Sequence, residues 1–200
     1  DQRLHLALRS RGGYPDPRER DDDPTGSFSG TPCRGDESRM IEIETTALDA
    51  MHAHAVEGFP EEICGVLFAG PKGQVVRRMT NVQNALHAAE PTANPRDART
   101  AYQFDGAELL DVTRQGDEAG WRVVLFYHSH PQHGAYFSAT DKSRALFGGE
   151  VDLGPAFPGV AYLVISVCDR TVRDRKTFAW DESAQDFVET PFGSPAARHG

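Results

Sequence analysis

The sequence predicts an α/β domain built on a mixed β-sheet flanked by helices. Between Met40 and Glu189, strand-like and helix-like periodicities alternate along the chain. The runs ICGVLFA (63–69), VVLFY (123–127) and AYLVISV (161–167) are nearly continuous in apolar residues, as in strands covered on both faces. One pair of strands is separated only by Gly70-Pro71-Lys72-Gly73, a hairpin connection that adds an antiparallel neighbour.

Met40–Thr45 (MIEIET) alternates with period two and reads as an opening strand. In Thr46–Gly58 the residues Leu48, Met51, His52 and Ala55 fall at helical spacing, and Gly58-Phe59-Pro60 ends the helix. Ile63–Ala69 and Gln74–Met79 make the hairpin. Residues 84–100 (NALHAAEPTANPRDART) carry two prolines and read as a loop, long enough to touch a substrate. Ala101–Phe104 reads as a short strand, Asp105–Ala119 as an amphipathic helix with Asp105 at its N-cap, and Val123–Tyr127 as a buried strand. Ser138–Phe147 is a helix, Ala161–Val167 a central strand, and Lys176–Trp180 and Phe187–Glu189 later strands.

Two hundred residues, 38% of them hydrophobic, suffice for one core with tails. Residues 14–39 are rich in proline, glycine and acidic side chains and almost free of aliphatic ones. Such a segment cannot bury enough apolar surface to offset its ordering entropy, so it reads as a flexible linker. The expected organisation is a separate segment over 1–13, a linker over 14–39, a folded domain over 40–190 and a disordered tail over 191–200.

The net charge of −9 argues against a nucleic-acid partner and allows attraction of a cationic peptide. Cys33, Cys64 and Cys168 form no CxxC pair and no disulfide framework, which reads as reduced thiols in a cytoplasm. No apolar run approaches the roughly 18 residues of a membrane span, so no membrane partner is expected.

The chemistry concentrates where VVLFY runs into HSHPQHGAYFSATD. His128 and His130 stand at i and i+2, which on an extended segment puts both imidazoles on one side of the backbone. Ser138 opens the next helix, and Asp141 follows in its first turn, where its carboxylate can return to the histidines. Two nitrogens and one oxygen leave a fourth position open, the ligand set of a catalytic rather than a structural zinc. A water there is acidified into a nucleophile, Ser138 can donate to the oxyanion that its attack creates, and the base must come from elsewhere. Glu62, at the mouth of ICGVLFA, is the outstanding choice, since Glu61 beside it points the other way in an extended chain. Taken alone, an HxH on a strand is more often incidental, and a Ser–Asp pair can be a cap worth about 1 kcal/mol. The whole pattern H-x-H-x7-S-x2-D at a strand–helix transition is far more specific. The second HxH, His52-Ala53-His54, falls on a helix, where i and i+2 diverge by about 200° and cannot share a metal. His133, in the loop between the ligands, is placed where it can orient substrate but reads more readily as a solvent-facing loop residue, and Cys64 reads as a small core residue.

HSHPQHGAYFSATD resembles the H-x-H-P-x6-S-x-x-D signature of the JAMM (MPN+, Mov34/PAD-1) metalloproteases, and FPEEICGVLFAG resembles the segment that supplies their catalytic glutamate. The resemblance spans roughly Met40 to Glu189, and the Asn81 and Asn84 pattern followed by YQF is similar to the small bacterial members. It implies the JAMM/MPN fold, a cytidine-deaminase-like mixed sheet flanked by helices. It also implies a zinc peptidase or isopeptidase, deubiquitinase-like, that cleaves after the C-terminal glycine of a ubiquitin-like protein. By position His128, His130 and Asp141 would bind zinc, Glu62 would be general acid and base, and Ser138 would steady the tetrahedral intermediate. GGEVDLGPAFPG (148–159) resembles an insertion that some relatives use near substrate.

LHLALRSRGG (4–13) resembles the tail of ubiquitin, LHLVLRLRGG, differing at Ala7 and Ser10. Gly12 and Gly13 lack a Cβ and can enter a narrow cleft, the extended tail can add to a sheet edge, and Arg9 and Arg11 can meet carboxylates of an acidic body. The expectation is a natural fusion in which a ubiquitin-like domain precedes the peptidase, with this chain its C-terminal part and Gly13-Tyr14 the processing bond. Two other classes stay open: a JAMM peptidase acting on a sulfur-carrier protein or other small peptide, and a module that binds such tails without turnover.

Overall fold

The structure, a computed structural model, describes residues 40–194. The expected tail with Arg9, Arg11, Gly12, Gly13 and Tyr14, the linker 14–39 and residues 195–200 lie outside the described residues.

Among the described residues, eight strands and four α-helices follow in the order β1 (Ile41–Glu42), α1 (Thr45–Gly58), β2 (Cys64–Gly70), β3 (Gly73–Met79), α2 (Gln83–Ala89), α3 (Gly106–Glu118), β4 (Arg122–Pro131), α4 (Ala139–Ala145), β5 (Ala161–Cys168), β6 (Thr171–Asp181), β7 (Asp186–Thr190) and β8 (Phe192–Gly193). The main sheet has the order β3-β2-β4-β5-β6-β7, and its one parallel pair is β4 with β5. The mixed α/β fold expected from the sequence is therefore the one found.

Period-two alternation along the sheet sorts its side chains into two cores. Leu125 and Tyr127 of β4, with Leu163 and Ile165 of β5, face α1, whose Met51 and Ala55 are fully buried against them. Phe126 points to the other face, into an aromatic layer of Phe137, Tyr162, Phe178 and Phe187, where Ala145 and Leu146 dock α4 and its C-cap and α3 lays Leu109 and Val112. His128 and His130 have the parity of Phe126, so the same alternation delivers both to the α4 side.

Gly65 is set by its cross-strand partner. It pairs with Tyr127, and a Cβ added there would lie 2.3 Å from the phenol ring. That ring is fully buried, with its hydroxyl 2.8 Å from His54 Nδ1. Gly65→Ala is expected to cost about 1–3 kcal/mol, the usual penalty for overpacking a filled core. Urea unfolding reads this as a lower midpoint, and an unchanged midpoint would mean that the ring has room to move.

The structure corrects four local readings. Within 84–100, expected to be all loop, the Ala-rich start joins Gln83 in the short helix α2, and the prolines follow it. Ala101–Phe104 is no strand of its own; Phe104 makes a single bridge to Asn81. The last strands begin earlier, because β6 runs from Thr171 and its charged, exposed first half hides its pairing with β5. Within 191–200, read as tail, Phe192 and Gly193 pair in parallel with Ile41 and Glu42, an association across the whole domain that local pattern does not encode.

Candidate active site

The register of β2 against β4 builds the site. Cys64 pairs with His128, and just beyond the ladder Ser129 N–H donates to the Ile63 carbonyl while Ser129 Oγ accepts from Ile63 N–H. Glu62, two residues before Cys64, thus comes alongside His130, two residues after His128. Asn81 holds this turn of chain: its amide donates to the carbonyls of Glu62 and Ala101, and its oxygen accepts from the backbones of Gln83 and Gln103. Glu62 N–H donates to the Ala98 carbonyl.

His128 Nε2 and His130 Nε2 lie 3.1 Å apart, and Asp141 Oδ2 lies 3.6 Å from the first and 3.7 Å from the second. All three residues are buried, and among the described residues this is the group whose donor atoms converge closely enough for a metal. Ligands at the ~2.0–2.1 Å of zinc bonds define a tetrahedron with edges of about 3.3 Å, so the donor triangle fits zinc. Outer contacts aim the donors. His130 Nδ1 lies 3.0 Å from the Gly134 carbonyl, which assigns the proton to Nδ1 and turns the Nε2 lone pair inward. His128 stacks on Tyr102 with ring centroids 4.4 Å apart. Asp141 Oδ2 accepts from Ser138 N–H at 2.9 Å and Ser138 Oγ–H at 2.6 Å, while Asp141 N–H donates back to Ser138 Oγ, a complete capping box at the start of α4.

These contacts divide the ionisations. Burial alone would raise Asp141, but the histidines and the Ser138 hydroxyl overcome it and hold the carboxyl well below the usual range. Burial pushes His128 down. Burial also lowers His130, yet Asp141 and the Gly134 carbonyl outweigh it and raise the group. Glu62, 8% exposed, is pushed up to about 7, chiefly by burial. A carboxyl poised near neutrality can both take and return a proton.

Glu62, His130, Ser138 and Asp141 line one pocket of about 180 Å³, and His128 touches its wall through His130. Thus the structure brings five of the sequence-derived site residues together. Ser138 is present, but its single proton is directed at Asp141. His133 is solvent-exposed, as read, and also lines the pocket, its carbonyl accepting from Ser166 Oγ. Sequence reasoning missed Arg96, Tyr102, Tyr136 and Arg144 on the same walls, since none stands in a spacing that marks it. Tyr136 lies edge-on to His130 at 4.9 Å between ring centroids. Outside the pocket are Glu61, whose Oε1 accepts from Asn84, and the second histidine pair, of which His54 bonds Tyr127 and is lowered to about 4 by burial.

The class is now defined: a mixed α/β domain in which a central strand and the following helix present a buried His-His-Asp group able to hold a metal, beside a buried glutamic acid. The family model for prokaryotic homologs of the JAB domain matches residues 44–181, and the chain belongs to that family. The JAMM/MPN resemblance read from the sequence is thereby shown. A desampylase of Haloferax volcanii is 34% identical over 133 residues, 64% of this chain and 82% of that protein. A CysO-cysteine peptidase of Mycobacterium tuberculosis is 35% identical over 106 residues, 53% of this chain and 66% of that protein. Among solved structures, a protein of Desulfitobacterium hafniense matches with a TM-score of 0.55 at 22% identity, over 80% of this chain and 97% of that one, a likeness of fold. A protein of Salinibacter ruber matches with a TM-score of 0.50 at 26% identity, over 78% of this chain and 93% of that one. No helix among the described residues is long and apolar enough to cross a membrane.

Proposed function

We propose that the chain is a zinc-dependent peptidase that cleaves after the C-terminal diglycine of a ubiquitin-like protein, processing the precursor to which it is fused and deconjugating that protein from others. The observation that carries this reading is the buried Glu62 carboxyl in the same pocket as a buried His-His-Asp donor set. Similarity to peptidases named for desampylation and for CysO-cysteine supports it.

His128 and His130 through Nε2 and Asp141 through Oδ2 would hold the zinc. Bound there, it would supply Lewis-acid polarisation of the scissile carbonyl and a water acidified toward neutral pH. Glu62 accepts the proton of the attacking water and delivers it to the leaving amine as the C–N bond breaks. Ser138 Oγ–H, turning from Asp141, donates to the oxyanion. Gly12 and Gly13 carry no Cβ, which suits a narrow cleft, and Tyr14 would be the first residue released. The roughly 27 steps from Gly13 to Met40, taken as a random coil, would reach about 30 Å, so capture is open both to this molecule's own site and to a neighbour's. The free thiols of Cys64 and Cys168 fit action in the cytoplasm.

Incubation of the full chain with zinc, followed by N-terminal mapping, is expected to yield a fragment beginning at Tyr14. Its absence from the wild-type reaction overturns the processing reading. A sulfur-carrier substrate is the second reading, favoured by the CysO-cysteine peptidase similarity; it predicts that unrelated diglycine tails supplied in trans are cut as well as LHLALRSRGG.

The rate should also report Glu62. As the base it works ionised, so kcat/KM is expected to fall about tenfold per pH unit below its folded-state value and to level off above. That value is about 7 without metal, and a dication beside the carboxylate pulls it lower, so the acid limb lies at or below pH 7. A rate that instead drops as pH rises through this range would remove Glu62 from the base role.

A further inference from the structure

Two cations on the pocket wall, Arg96 and Arg144, make no ion pair among the described residues. Arg96, from the segment after α2, donates from one guanidinium nitrogen to the Thr100 carbonyl at 3.3 Å and from another to Thr140 Oγ1 at 3.0 Å. Arg144, on α4, donates to the Tyr102 carbonyl. Both are therefore anchored by neutral oxygens, and neither has a carboxylate at ion-pair distance among the described residues. Lys142 on the same helix contrasts with them, since Asp186 neutralises it at 2.5 Å. Arg96 and Arg144 line the same pocket as Glu62, the group assigned to the leaving nitrogen.

Resting on the peptidase reading, we infer that Arg96 and Arg144 form a carboxylate subsite on the leaving-group side of the scissile bond. A guanidinium held on one edge keeps further N–H donors in a planar fork, the geometry that grips a carboxylate in two places. The side follows from charge. On the acyl side the tail brings Arg9 and Arg11, which uncompensated guanidinium groups repel. On the leaving side the first charged residue is Asp16, two residues past the leaving nitrogen of Tyr14, or about 7 Å along extended backbone. A single released amino acid offers the same chemistry through its own α-carboxylate. A lysine ε-amine within a protein chain brings no carboxylate of its own to that position.

The test uses the full-length zinc protein and two pairs of peptides. One pair spans residues 8–16 (LRSRGGYPD) with an amidated end, as such and with Asp16→Asn. The other spans residues 8–14 (LRSRGGY) with a free acid or an amide end. In at least one pair the carboxylate-bearing member is expected to show about tenfold higher kcat/KM than its neutral twin, the usual gain from a charge-assisted hydrogen bond, and added salt should shrink that ratio. Preference in the first pair identifies the Asp16 side chain as the ligand, and preference in the second identifies a free terminus. In Arg96→Gln/Arg144→Gln the ratio should fall to about one. Because Arg144 also braces Tyr102, the ratio is read as well in Arg96→Gln alone, an exposed loop position, where it should fall severalfold. Ratios near one in both wild-type pairs, or a preference that survives the double substitution, overturn the subsite. A wild-type protein that cleaves none of the peptides and does not process itself overturns the peptidase reading, and the subsite with it.

Discussion

Glu62→Gln is expected to lower kcat/KM by a factor of about 10²–10⁴, the usual contribution of a positioned acid–base group, while zinc uptake stays at the wild-type level. Gln keeps the shape and removes only the titrating proton, and Glu62 is not among the three donors that converge on the metal position. The same substitution should raise the stability of the metal-free protein at pH 8. Glu62 has a folded-state value of about 7, above its ordinary value near 4.5, so the folded state holds the proton more tightly than the unfolded chain does. The stability tied to that proton is complete below about pH 4.5 and is lost as pH rises through 7, up to about 3 kcal/mol. A permanently neutral Gln escapes that loss. Thermal unfolding at pH 5 and pH 8 reads the effect as a gain confined to the higher pH. A variant as active as wild type overturns the acid–base role, whereas an inactive variant without the stability gain shows that Glu62 is less buried in solution than in the structure.

The second large effect is on the metal. His130→Ala or Asp141→Asn should reduce zinc content to less than about one-tenth of wild type and abolish cleavage, because two remaining ligands cannot hold the ion in competition with water. Chelation of the wild-type protein should do the same reversibly. It should also lower the melting temperature, since a ligand at a thousand times its Kd stabilises the folded state by about 4 kcal/mol. Asp141→Asn carries a further cost. Its carboxylate closes the capping box with Ser138, and a neutral amide there weakens the start of α4. Zinc retained at wild-type content in either variant would move the metal site elsewhere.

Much of this was legible in the chain itself. The apolar runs at 63–69, 123–127 and 161–167 announced the central strands because strands covered on both faces need continuous apolar residues. Two histidines at i and i+2 on a strand must share a face, and a serine three residues before an aspartate marks a helix start, so the donor set and its elements could be read locally. Asp105 was readable as a cap for the same reason, and its side chain accepts from the Ala107 and Glu108 backbones. The tail LHLALRSRGG, and with it Arg9 to Tyr14, rests on sequence alone.

Tertiary structure decided whatever depends on distant partners. Which carboxylate faces the histidines was set by the antiparallel register of β2 on β4, and burial in that register, rather than residue type, pushes Glu62 toward neutrality. Strands as short as β1 and β8 owe their pairing to the closure of the whole domain, with too few residues to show a period. The Ser138 proton looked free in the sequence and is directed at Asp141 in the fold. Arg96 and Arg144, 48 positions apart in the numbering, carry no spacing that links them. They share a pocket wall because the segment after α2 and the face of α4 meet there, and proximity of that kind is a property of packing.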